Sequence, residues 1–517
     1  MLKKINYLFS SKTLFLFVLL TFLLTKFYFA NYSSVNYEFL FPLLSKAIFT
    51  NDHIFISFYD RLQANNYGFS FLISPITFLY DYPNSLYALR YLNIALVIIF
   101  FISFRKYLNF INLSKYQNQL FLLILLNPLF FTFSSRASVD FIPFVLAFIC
   151  IVNILNKNYL KISYTLLAII AYIKIIYLSY FFIIFIINFQ QYFSVKSLIF
   201  KKLHISRKIS FLIRSTFAYI KLDYHYYFLS MIIFICLCIF NKLIFGFTIV
   251  PPTPDGTHEI VRPEFDFGFR SVPNNTINYI ALSSLLIYPL VILPVITSIK
   301  YNLKNIITLF LIIFISFLLS RSYLSDTGEL NLSFFDSIIN SKNRFFLLAV
   351  YFFMTSFFTL NSIKKYAFIE KGSHIIYSLA ILSFFCLFVF SFLRPVQRYI
   401  LPFLPFLLVF YFLITKSKAW VIHLTTIIFF ILSIFITLNT KSNQDMHDEI
   451  DEFLTKNYLF EETNGSSIYH LLGYKFYNYE NFNKKYIIKA RSCNASLKNF
   501  KSGFFVFKKT YCIDVLN

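Results

Sequence analysis

Between its long apolar stretches this chain carries few charged side chains, and several of them are placed where they could do chemistry. Glu38 stands in Asn36-Tyr37-Glu38-Phe39, an otherwise uncharged run. A carboxylate there could take a proton from an acceptor hydroxyl, or be a solvated loop acid. Asp60 and Arg61 are adjacent, so Asp60 could orient a sugar or a metal ion, or simply pair with its neighbour. In Ser134-Ser135-Arg136-Ala137-Ser138-Val139-Asp140 an Arg and an Asp sit between two apolar blocks. They read either as a salt bridge that caps a helix start or as a contact with a polar headgroup. His258 and Glu259, in a proline-rich and charged segment, could be ligands or proton carriers, although a lone His in a polar loop is usually just solvated. Arg394 and Arg398 flank Pro395-Val396-Gln397 at an apolar boundary. A guanidinium fork suits a phosphate there, and headgroup snorkelling is the alternative.

The elements that must position these residues are helices in lipid. Apolar blocks of roughly 16–22 residues alternate with short polar loops almost to residue 440, long enough to cross a hydrocarbon core about 30 Å thick. Only a helix satisfies its own backbone there without closing into a barrel. The 517 residues are 58% hydrophobic, with a mean hydropathy of +0.67. With 73 Phe and only 9 Gly, helix contacts must be aromatic and aliphatic rather than small-residue crossings. The bias toward Phe, Ile, Asn, Lys and Tyr also matches an AT-rich genome. A net charge of +24 would suggest nucleic acid in a soluble protein. Here it fits cytoplasmic loops and anionic headgroups, and nucleic acid is not expected as a partner.

Loop charge sets the topology. Lys3, Lys4 and Lys12 keep the N-terminus inside. A first span over 14–30 leads to a long outer segment, 31–86, with surface helices expected around 39–49 and 69–79. Spans follow over 87–104 and 120–133, then the outer turn at 134–140 and a fourth span ending near Lys157. The stretch 164–189 lies between basic loops and so needs an even number of crossings. It is read as two short helices split near Lys174 and Ile175, a shallow hairpin from the inside. Further spans are expected over 229–245, 279–296, 306–319, 345–360, 376–393, 401–414 and 420–438, with an outer loop over 247–278. The expected fold is therefore an all-α polytopic membrane domain, 1–438, of about 13 spans. A small α+β extracytoplasmic region over 439–517 completes it, in which Cys493 and Cys512 could form a disulfide.

In this order, these parts resemble the GT-C superfamily of polytopic membrane glycosyltransferases. The resemblance rests on Glu38 early in a long outer segment, Ala88-Leu89-Arg90-Tyr91-Leu92-Asn93 opening the second span, and Arg136 to Asp140 after the third. Lys174 in a hairpin and Gln397-Arg398-Tyr399-Ile400-Leu401-Pro402 complete it. Many relatives carry two adjacent acids where this chain has Tyr37-Glu38. The resemblance implies inverting transfer from a polyprenyl-phosphate-linked sugar donor to a glycan, lipid or protein acceptor on the outer face. Glu38 would be the base, Asp60 would orient the sugar or acceptor, and Arg398 with Arg394 would hold the leaving phosphate. Arg61, Arg136, Asp140 and His258 would complete the substrate-binding set. No motif calls for a cofactor or a metal ligand set, and a divalent cation stays open. The short basic N-terminus and the AT-rich bias favour a bacterial plasma membrane, with the endoplasmic reticulum as the alternative. An O-antigen-type polymerase or a lipid-linked sugar flippase is the competing reading.

Overall fold

The computed structural model describes residues 12–32, 38, 40–50, 68–185, 225–244, 279, 287, 290, 397–415, 419–459, 463–464, 486–490, 496–502 and 509–515. The described chain is mostly helical, with a small sheet at its C-terminal end. Among the described residues, four helices are long and apolar enough to cross a membrane: α1 (Lys12–Ala30), α4 (Asn84–Phe110), α10 (His225–Ile244) and α12 (Ala419–Lys456), within which this stretch runs over Trp420–Lys456. They fit a membrane protein. The expected spans at 306–319, 345–360 and 376–393, and most of 279–296, lie outside the described residues.

Within the segment expected to be outer, 31–86, the described residues include α2 (Leu40–Thr50) and α3 (Gly68–Leu79). The two pack together through Phe41 on Phe69, and Ser45 donates to the carbonyl of Ser70. After α4 come α5 (Gln117–Leu125), α6 (Pro128–Phe133) and α7 (Phe141–Leu155). The break between α5 and α6 has a local cause. Asn127 caps α6 by accepting from the Leu129 amide at 3.0 Å, and Pro128 follows it at the first helical position. Phe100 on α4 holds the bundle centre, its ring 5.1–5.3 Å from those of Phe130, Phe144 and Phe148. With so little glycine, ring-against-ring contact replaces close backbone approach.

The stretch beginning at Leu160 does break at Lys174. Helix α8 (Leu160–Ile173) ends there in an extended residue, and α9 (Ile175–Phe185) follows. Phe181 returns to within 6.4 Å of Tyr164, so α9 runs back alongside α8. The hairpin is not shallow: its tip reaches Asp140 at the start of α7. A 3-10 turn over Gln397–Phe403 leads into α11 (Leu404–Thr415).

Helix α12 (Ala419–Lys456) does not stop at the polarity change after Leu438. Its 38 residues span about 57 Å, nearly twice a hydrocarbon core. The distal half packs on a four-stranded sheet of β1 (Thr463–Asn464), β2 (Tyr486–Ala490), β3 (Ser496–Ser502) and β4 (Lys509–Val515), in the order β1-β2-β4-β3. Met446, Ile450 and Leu454 of α12 bury against Ile488, Phe500 and Ile513 of the sheet. Cys512 is disulfide-bonded, whereas Cys150, Cys236 and Cys238 are free thiols. A disulfide in this region fits an oxidising compartment for the sheet.

Candidate functional site

One end of the bundle gathers buried charge. Arg90, in the second turn of α4, is 4% exposed, and Glu38 is 3% exposed. The guanidinium donates to the Glu38 carboxylate at 2.5 Å and to the carbonyls of Ala30 and Tyr32. The other Glu38 oxygen accepts from the Ala137 amide at 2.7 Å. Asn93, one turn beyond Arg90, donates from its side-chain amide to the carbonyl of Arg136. The end of α1, the start of the outer segment, α4 and the turn before α7 are thereby tied to one another.

Arg136 occupies that turn, half-buried, with its guanidinium 5.2 Å from the Phe133 ring. Burial lowers its pKa from the usual guanidinium value, against the pull of nearby Glu38 and Asp140. Lys26 approaches from α1. It is buried, donates to the carbonyl of Phe131, and lies 3.8 Å from that ring centroid. Among the described residues neither Lys26 nor Arg136 forms an ion pair with a carboxylate. Both face one cavity of about 70 Å³, room for several waters or a group of phosphate size. Among the described residues Glu38 is the one carboxylate lining it, and Thr437, Thr440 and Gln444 of α12 line it as well.

A second charged group adjoins it. Asp140 ion-pairs with Lys174 at the hairpin tip and accepts from Ser138 at 3.2 Å. Burial pushes this carboxyl upward, but Lys174 and Arg398 outweigh it and hold the group below its ordinary value. The Lys174 ammonium and the Arg398 guanidinium lie 5.0 and 5.6 Å from the Tyr399 ring. Asp140 stands at the start of α7 without bonding the first amides of that helix. Its salt bridge is with Lys174, not Arg136, because the hairpin brings a cation closer than the turn does.

Of the residues singled out by sequence, Glu38, Arg136, Asp140 and Arg398 are drawn together at this end. Asp60, Arg61, His258 and Arg394 lie outside the described residues. Lys26 was missed, although a lysine within an apolar span is itself a signal. No group of three or more His, Cys, Asp or Glu fit to hold a metal ion occurs among the described residues. No protein-family model, curated protein or solved structure matches the chain.

Proposed function

We propose that this chain is an integral membrane glycosyltransferase of GT-C-like architecture, moving a sugar from a polyprenyl-phosphate donor to an acceptor hydroxyl on the extracytoplasmic side. The observation that carries this reading is the Lys26–Arg136 cavity. Among the described residues, two cations face one small space without a carboxylate of their own, at a cost in desolvation that packing alone does not repay. A phosphate oxygen would supply the missing charge, and guanidinium and ammonium donors suit it.

In the proposed reaction the acceptor hydroxyl gives its proton to Glu38 as its oxygen attacks the anomeric carbon. The bond from that carbon to the phosphate oxygen breaks, and its electron pair stays on the phosphate. Arg136 and Lys26 stabilise that growing charge, a contribution typically worth about 3–4 kcal/mol per well-placed donor. Arg398 adds to the positive field from the far side of Asp140, and Asp60 orients the sugar or acceptor. The products are the glycosylated acceptor and the bare lipid phosphate.

The test is transfer by purified protein in liposomes containing a polyprenyl-phosphate sugar. Transfer by the native chain and its loss in Glu38→Gln are the expected results. Failure to transfer from any such donor would overturn the reading, and full activity in Glu38→Gln would remove Glu38 as the base.

A further inference from the structure

Helix α12 presents a polar stripe to the cavity where a lipid-facing helix has no need of one. Thr437, Thr440 and Gln444 fall at three- and four-residue spacing, on one face of the helix. Thr25 of α1 lines the same space beside Lys26. These three threonines share a second property. Thr437 donates its hydroxyl proton to the carbonyl of Ser433 at 2.8 Å, Thr440 to Ile436 at 2.7 Å, and Thr25 to Thr21 at 2.8 Å. Each oxygen therefore offers the cavity lone pairs and no proton. The lining thus includes two kinds of group, cationic donors at Lys26, Arg90 and Arg136 and neutral acceptors at these threonines. A bare phosphate is matched by the first kind only. A phosphate that carries hydroxyl donors within a few ångströms is matched by both.

We infer that Thr437 and Thr440 are specificity-determining residues, reading the hydroxyls of a phosphate-linked polyol while Lys26 and Arg136 hold its phosphate. This rests on the donor class proposed above and adds what discriminates a loaded carrier from an unloaded one.

Binding, not turnover, tests this. Full-length protein in nanodiscs is titrated with a polyprenyl-phosphate hexose and with the same polyprenyl phosphate lacking sugar. The native chain should prefer the glycosylated carrier about thirtyfold, the sum of two hydrogen bonds of ordinary strength. The paired change Thr437→Val and Thr440→Val keeps shape and removes the acceptors. It should erase the preference while leaving affinity for the bare carrier unchanged. Thr425→Val with Thr426→Val, on the same helix but away from the cavity, should leave both affinities as they were; altered affinities there would overturn the assignment to the stripe. Equal affinity of the native chain for the two carriers, or a preference that survives the Thr437/Thr440 change, would overturn the inference while leaving the phosphate site standing. Binding of neither carrier would overturn the proposed function, and this inference with it.

Discussion

The carboxylate of Glu38 accepts a hydrogen bond from the amide of Ala137, 99 residues away in sequence, while Arg90 holds its other oxygen. A single side chain thus joins the outer segment to the turn that carries Arg136. In its proposed role as the base, Glu38 would be aimed by these two partners.

Glu38 and Arg90 should separate in activity rather than in stability. Glu38→Gln keeps an oxygen for the Ala137 amide but leaves the Arg90 guanidinium buried without its counter-charge, and Arg90→Ala strands a buried carboxylate and removes the donor from two carbonyls, so each should cost about 3–5 kcal/mol. At a temperature where both variants stay folded, Glu38→Gln should lower transfer at least a hundredfold and Arg90→Ala should lower it less. Thermal unfolding in detergent beside a transfer assay reads both. Equal transfer by the two folded variants would make Glu38 a strut rather than a base.

Lys26 should show a conflict between stability and function. Lys26→Met removes a buried ammonium that has a carbonyl partner but, among the described residues, no counterion. The variant should unfold at a higher temperature than the native chain, and donor affinity should fall tenfold or more, about 1.4 kcal/mol. A lower Tm with unchanged affinity would mean that Lys26 serves packing alone.

Asp140 and Lys174 should behave as a unit. Asp140→Asn leaves the ammonium buried and unpaired, an expected loss of about 3–5 kcal/mol. The double change Asp140→Leu with Lys174→Met should recover most of that stability. If the single and double variants lose equally, the pair is not coupled as the geometry requires.

How much of this was legible in the chain follows from what each residue reports. The helices at Leu40–Thr50 and Gly68–Leu79, and the break at Lys174, were readable because apolar pattern and loop charge are local. The union of Glu38 with Arg90 and Ala137 was not, since it is made by tertiary packing across three segments. Lys174 gave only half its meaning. Its charge marked a break, but nothing local says that the hairpin rises to Asp140. The run of α12 past Leu438 was hidden for another reason. Composition changes there from apolar to polar, yet Asn439 to Lys456 keeps Ile450 and Leu454 on one face, and a helix follows the backbone rather than the solvent.

Sidedness can be read at two exposed tyrosines. Tyr458 is 91% exposed after α12, and Tyr159 is 73% exposed between α7 and α8. In intact cells an impermeant maleimide should label Tyr458→Cys and spare Tyr159→Cys, and permeabilisation should expose the second. The reverse pattern would invert the topology and put the Lys26–Arg136 cavity on the cytoplasmic side.

His447 should make the C-terminal region sensitive to acid. It lies on the part of α12 beyond the apolar half, 2% exposed, on the same face as Ile450 and Leu454. Neither ring nitrogen finds a hydrogen-bond partner among the described residues. Burial lowers its pKa from 6.5 to about 4. A folded pKa below the unfolded one means that the unfolded chain binds the proton more readily. The stability from the neutral ring is whole above pH 6.5 and is lost as pH falls toward 4, by about 3 kcal/mol. His447→Leu should remove that dependence and raise Tm at pH 5 more than at pH 8. Scans of both proteins at the two pH values decide it, and an equal gain at both would show that His447 never has to give up a proton to be buried.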